Sequence, residues 1–80
     1  MPSFDVDDQR FWEDFQNRKW SDRVEKAVRQ RIEKIKIDPS EDAQIYGEGK
    51  KWGYYLLDTL SLIVAIDEKK RIVRLLGLLR

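Results

Sequence analysis

The sequence contains no cysteine and no histidine. Without cysteine there is no disulfide staple and no thiolate metal site, and nothing calls for an oxidising compartment. Without histidine, Ser–His–Asp and Cys–His triads are excluded together with zinc-type sites. Long apolar runs are missing too, the longest falling far short of the ~20 residues a membrane span needs. The N-terminus, MPSFDVDD, is acidic rather than basic and then apolar, so it does not read as a secretory leader. A cytosolic, soluble protein with no membrane association is the expectation. At 80 residues the chain makes a single domain, 1–80. A domain of this size buries about 60–65% of the surface its unfolded form exposes, which leaves a thin stability margin.

The net charge of +1 hides an alternation along the chain. Residues 1–20 hold three basic against five acidic side chains, and residues 21–36 hold six against three. Residues 37–49 are purely acidic, with four carboxylates, and residues 50–80 carry seven basic against three acidic groups. A basic helix and a basic C-terminal region fit a nucleic-acid or acidic protein partner, or simply a well-solvated surface.

The apolar pattern orders the chain. Phe4 and Val6 alternate within a short segment, 3–6, that reads as a brief strand, with Pro2 suited to a sheet edge. Asp7 or Asp8 stands where a carboxylate caps a helix, and that helix carries Phe11, Trp12 and Phe15 on one face. Ser21 caps a second helix, in which Val24, Ala27, Val28, Ile32 and Ile35 fall at i, i+3, i+4, i+8 and i+11, one helical stripe. Asp38-Pro39-Ser40 stops it, since proline disfavours the helical state of the residue before it. Residues 41–49 are polar and form a loop or a weak edge segment. Three apolar runs of strand length follow, at about 51–57, 60–66 and 71–79, separated by Asp58-Thr59 and by Asp67-Glu68-Lys69-Lys70. Strict alternation along the last run puts Ile72, Arg74, Leu76, Leu78 and Arg80 on one face and Val73, Leu75, Gly77 and Leu79 on the other. The expected fold is α+β: a short N-terminal strand, a two-helix hairpin, and a C-terminal antiparallel three-stranded meander with the helices on one sheet face.

This element order, with "LIVAIDEKKRIVRLLGLLR" and "KIKIDPSEDAQIYGEGKKWGYY" as its best local matches, resembles the RelE/ParE superfamily of toxin–antitoxin toxins. The resemblance covers about residues 3–80 and implies a cytoplasmic toxin neutralised by an antitoxin protein. In ribonucleases of this family (mRNA interferases acting on the ribosome) the RNA's own 2′-hydroxyl is the nucleophile. The protein then supplies positive charge and proton transfer, without a cofactor or a metal. On that pattern Lys51 matches the first basic position of the aromatic strand and Arg80 the basic residue near the end of the last strand. Gly53 and Leu60 fall where the family usually carries two further basic residues. Catalysis would rest on Lys51, Arg80 and Tyr55, and RNA binding on Lys50, Arg74 and Tyr54.

Each candidate also has a plain structural reading. Lys50 and Lys51 either contribute to phosphate binding or are solvated lysines opening an edge strand. Arg74 and Arg80 lie between leucines and either snorkel at a sheet margin or face a partner. Trp52, Tyr54 and Tyr55 either stack on single-stranded bases or pack in the core, and Tyr54 and Tyr55 point to opposite faces. The missing basic residues fit a second function equally well: a non-catalytic protein-binding domain of the same fold, gyrase-inhibitor-like or a degenerate toxin. A dimerisation module joined edge to edge through the leucine-rich last strand is a third.

Overall fold

The computed structural model describes residues 4–46, 51–57 and 59–80. In chain order it contains β1 (Asp5–Asp7), α1 (Gln9–Arg18), α2 (Asp22–Ile37), β2 (Gln44–Tyr46), β3 (Lys51–Leu57), β4 (Leu60–Asp67) and β5 (Ile72–Leu79). This is the expected α+β layout, with the helices on one face of a sheet whose centre is the antiparallel β3–β4–β5 meander. The sheet is wider than three strands. Its order is β1-β5-β4-β3-β2, because β1 adds parallel to β5 and β2 adds antiparallel to β3. The segment expected as a loop or weak edge thus includes an edge strand. Ser3, where the sequence pattern starts the first strand, lies outside the described residues, and within them the strand runs Asp5–Asp7.

Helix α2 follows its sequence closely. The Ser21 hydroxyl accepts from the Val24 backbone N–H at 3.4 Å, satisfying one orphan donor of the first turn. Asp22 lies in the first turn, and Lys34 and Lys36 lie in the last, each sign matched to the helix dipole. Val24, Val28, Ile32 and Ile35 are buried, each contributing about 1.5–3 kcal/mol of apolar burial. At the far end Asp38 takes an extended conformation (φ −150°, ψ 96°), as a residue preceding proline should.

Helix α1 departs from expectation at its start. Asp8 occupies the N-cap position, but its side chain caps no amide. Its carboxylate instead accepts from the Trp12 indole N–H at 2.8 Å. A half-buried indole needs an acceptor, and Trp12 is held edge-on between Phe11 and Phe15, with ring centroids 5.1 Å from each. Phe11 and Phe15 are buried against the sheet. The helix ends at Lys19, whose left-handed backbone (φ 53°) directs its N–H back to the Gln16 carbonyl.

The sheet residues under the helices are Tyr54, Leu60, Leu62, Val64, Val73 and Leu75, with Trp52, Ile66 and Leu78 partly buried beside them. Two β-bulges interrupt the alternation that brings them there. In β3, Tyr55 pairs with Ser61 and Leu57 with Leu60, so Leu56 is the extra residue. In β5, Leu75 pairs with Val64 and Gly77 with Ile63, so Leu76 is the extra residue. An inserted residue reverses which parity faces the core. Val73 and Leu75 are therefore core residues before the bulge, and Leu78 packs on the core after it. The uninterrupted alternation expected for the last strand is corrected accordingly.

Candidate functional site

The sheet face away from the helices is the surface on which three of the six candidate residues, Lys51, Tyr55 and Arg74, lie. Trp52 and Tyr54 turn towards the helices, which sends Lys51, Gly53 and Tyr55 to this open face. On β4 it receives Ser61, Ile63, Ala65 and Asp67, and on β5 it receives Ile72, Arg74 and Gly77. The registers align Lys51 with Ala65, Ala65 with Arg74, and Arg74 with Asp7 in one row across four strands. Lys51 and Arg74 are thus two strand spacings apart, about 10 Å. Tyr55 is 59% exposed on the same face, but four residues further along β3, about 13 Å from Lys51.

Arg74 is not an isolated cation. Its Nε lies 3.2 Å from Oδ2 of Asp7, a contact spanning 67 residues of sequence and created by the parallel β1–β5 pairing. Both side chains are exposed, so the pair contributes at most a few tenths of a kcal/mol, but it offsets the charge. The next row sets Asp5 beside Ile72 and Ile72 beside Asp67. Among the described residues, this end of the open face sets Lys51 and Arg74 against Asp5, Asp7 and Asp67, and the β4–β5 turn adds Lys69 and Lys70 with Glu68 beside Arg74. Positive and negative side chains are interspersed there, so no cluster of cations stands alone to hold a phosphate backbone.

Arg80 lies on the other side of the sheet. The bulge at Leu76 turns Leu78 towards the helices, and Arg80 shares its parity. The Arg80 guanidinium sits 5.6 Å from the centroid of Trp20, which packs against the core from the junction of the two helices. Arg74 and Arg80, expected to share a face, are separated by the thickness of the sheet. A catalytic grouping of Lys51 with Arg80 is not brought together.

Tyr54 is also withdrawn from the expected nucleic-acid-binding set. It is fully buried, its hydroxyl donates to the Pro39 carbonyl, and the Arg31 guanidinium lies 5.2 Å from its ring centroid. Burial pushes its phenol up to about 12, with the Arg31 charge pulling the other way. A ring enclosed in this manner neither stacks on a base nor exchanges protons near neutrality. Leu60, one of the positions where the resemblance places a basic residue, is 1% exposed in the core. Lys50 lies outside the described residues.

Sequence reasoning missed Asp7 as the partner of Arg74, having read it as a capping or solvating group. No local signal marks it, because the contact depends on a parallel pairing between the two ends of the chain. Beside the site, Asp38 organises the exit from α2. Its Oδ1 accepts from the Ser40 hydroxyl at 2.6 Å and the Ser40 N–H at 3.0 Å, which hold its carboxyl below the usual carboxylate range. Among the described residues no three carboxylates gather as a metal site, and no helix is long and apolar enough to cross a membrane. A scan against protein-family models, a search of curated proteins and a search of solved structures return no match to this chain.

Proposed function

We propose that this chain is a toxin-derived domain of RelE/ParE-like type that acts in the cytoplasm by binding protein rather than by cutting RNA. The observation that carries this reading is the bulge at Leu76, which leaves Arg74 on the open face and turns Arg80 to the helix side. A ribonuclease of this kind needs several cations converging on one phosphate as charge develops in the transition state. Here Lys51 and Arg74 share the open face with three carboxylates, Arg80 is elsewhere, and Tyr54 is sealed in the core. None of the open-face charges belongs to the buried core.

The second reading, a ribosome-dependent mRNA endonuclease held inactive by an antitoxin, draws on one favourable observation. Lys51, Arg74 and Tyr55 do occupy the same face, with Lys51 and Arg74 in one row. Induction of the full chain in a bacterial host, followed by primer extension on translated mRNA, separates the two. The protein-binding reading expects no cuts within codons at good soluble expression. Cuts that disappear in the Lys51→Ala and Arg74→Ala variants would overturn it.

A further inference from the structure

The outer edge of β5 is only half covered. Strand β1 is three residues long and pairs with Ile72–Arg74 alone. From Leu75 to Leu79 the outer side of β5 has no strand partner among the described residues, although its inner side continues to pair with β4 as far as Leu79. Apart from the bulge itself and the overhang of α1 at its start, this stretch carries no device that keeps edges apart: no proline and no charged residue between Leu75 and Leu79. It presents Leu76 and Leu79, 44% and 45% exposed. The first turns of α1 overhang it, so that Asp7, Gln9, Arg10 and Glu13 form a groove with Arg74, Leu75 and Leu76.

We infer that this edge pairs antiparallel with the same edge of a second copy of the chain, joining two five-stranded sheets about a two-fold axis at Leu78. The inference takes up the protein-binding reading above and names the partner. Three features make the edge complementary to itself. Leu78 meets its own counterpart on the helix side, extending the apolar layer of both copies. Leu79 falls opposite Gly77 of the other copy on the open face, where a side chain at Gly77 would find nothing within 4 Å. Arg80, on the helix side, falls opposite Leu76 of the other copy, beside the groove that holds Glu13.

Among the described residues Glu13 makes no ion pair, although Arg10 and Arg74 line the same groove, whereas the neighbouring Asp14 is paired with Arg18 at 3.0 Å. The two-fold axis therefore supplies two reciprocal Arg80–Glu13 pairs, and the contact closes on itself as a dimer instead of propagating as a filament. A strand pairing this short lies at or below the low end of stable interfaces, about 1,200 Å² in total. Association is accordingly weak, and the dimer forms only as the protein concentration rises.

Sedimentation velocity on the full chain, from about one micromolar to several hundred micromolar, tests this directly. The expected result is a concentration-dependent shift from monomer to dimer mass. Leu79→Lys, exposed in the monomer, should weaken association at least tenfold. Glu13→Arg and Arg80→Glu should each weaken it several-fold, and the double reversal should restore it. Circular dichroism and thermal melts establish that each variant is folded, and Glu13→Arg, on the wet face of α1, keeps the test open if a β5 variant is not. A monomer at every concentration overturns the inference, as does a dimer whose affinity is the same in Leu79→Lys and Glu13→Arg. Either outcome leaves the protein-binding reading to be judged by primer extension, and cuts within codons would sink that reading without touching the dimer.

Discussion

Replacing Tyr54 by phenylalanine removes one oxygen atom and tests the core, the turn after α2 and the alkaline behaviour of the protein together. The ring keeps its place among fully buried neighbours such as Ile35, Leu62 and Val64. The loss falls on the Pro39 carbonyl, which accepts from the Tyr54 hydroxyl. Stranding a buried acceptor costs about 1–2 kcal/mol, and each kcal/mol lowers Tm by about 4–8 °C in a domain of this size. The pH dependence provides the second readout. Folding raises the Tyr54 phenol to about 12 from an unperturbed value of about 10. A group raised in the folded state contributes stability that is present below its unfolded pKa and lost as the pH climbs through its folded pKa. Wild type should therefore lose about 2–3 kcal/mol between roughly pH 10 and 12 through this group. Tyr54→Phe has no such proton to lose, so the gap between the two proteins closes across that interval and then reverses, leaving the variant the more stable at its alkaline end. Urea melts at a series of pH values, with tyrosinate absorbance followed in parallel, give both numbers. A variant as stable as wild type at neutral pH, or a gap that stays constant from pH 8 to 12, would refute the argument.

Three smaller predictions address local chemistry. Lys19→Gly relieves a left-handed backbone that only glycine adopts without cost, and thermal melts should show a gain of about 0.5–1 kcal/mol. Ser40→Ala removes the hydroxyl that bonds Asp38 at 2.6 Å; the carboxyl pKa of Asp38, followed by NMR, should move up towards its ordinary value. Leu62→Ala, at a fully buried position in the middle of β4, should cost about 2–5 kcal/mol and in so small a domain bring denaturant unfolding close to zero denaturant.

Most of the fold was legible because its signals are local. The α2 stripe needs only a 3.6-residue period, the Ser21 cap needs only a hydroxyl three residues before Val24, and Pro39 dictates the conformation of the residue before it. The strand segments 51–57 and 60–66 likewise correspond closely to β3 and β4, since charged or polar breaks bound each run. The site was less legible. Asp8 reads as a cap, yet the demand of the Trp12 indole for an acceptor takes its carboxylate elsewhere. Tyr54 and Tyr55 are adjacent aromatic residues of one type, and strand alternation sends them to opposite faces without saying which is buried until the helices choose a sheet face.

The sequence by itself determined the two helices, the strands β1, β3, β4 and β5, their order, and the exclusion of thiol and imidazole chemistry. Those properties follow from composition and from periodicities a few residues long. Only the tertiary structure decided that β1 lies parallel to β5, bringing Asp7 to Arg74 across 67 residues. It also decided that Leu76 is an extra residue. With leucine at positions 75, 76, 78 and 79, the apolar pattern is equally compatible with either parity, so hydrophobicity cannot locate the offset. Pairing with β4 locates it, because Val64 and Ile63 must face Leu75 and Gly77. That one-residue shift carries Arg80 through the sheet to Trp20, away from Lys51 and Arg74.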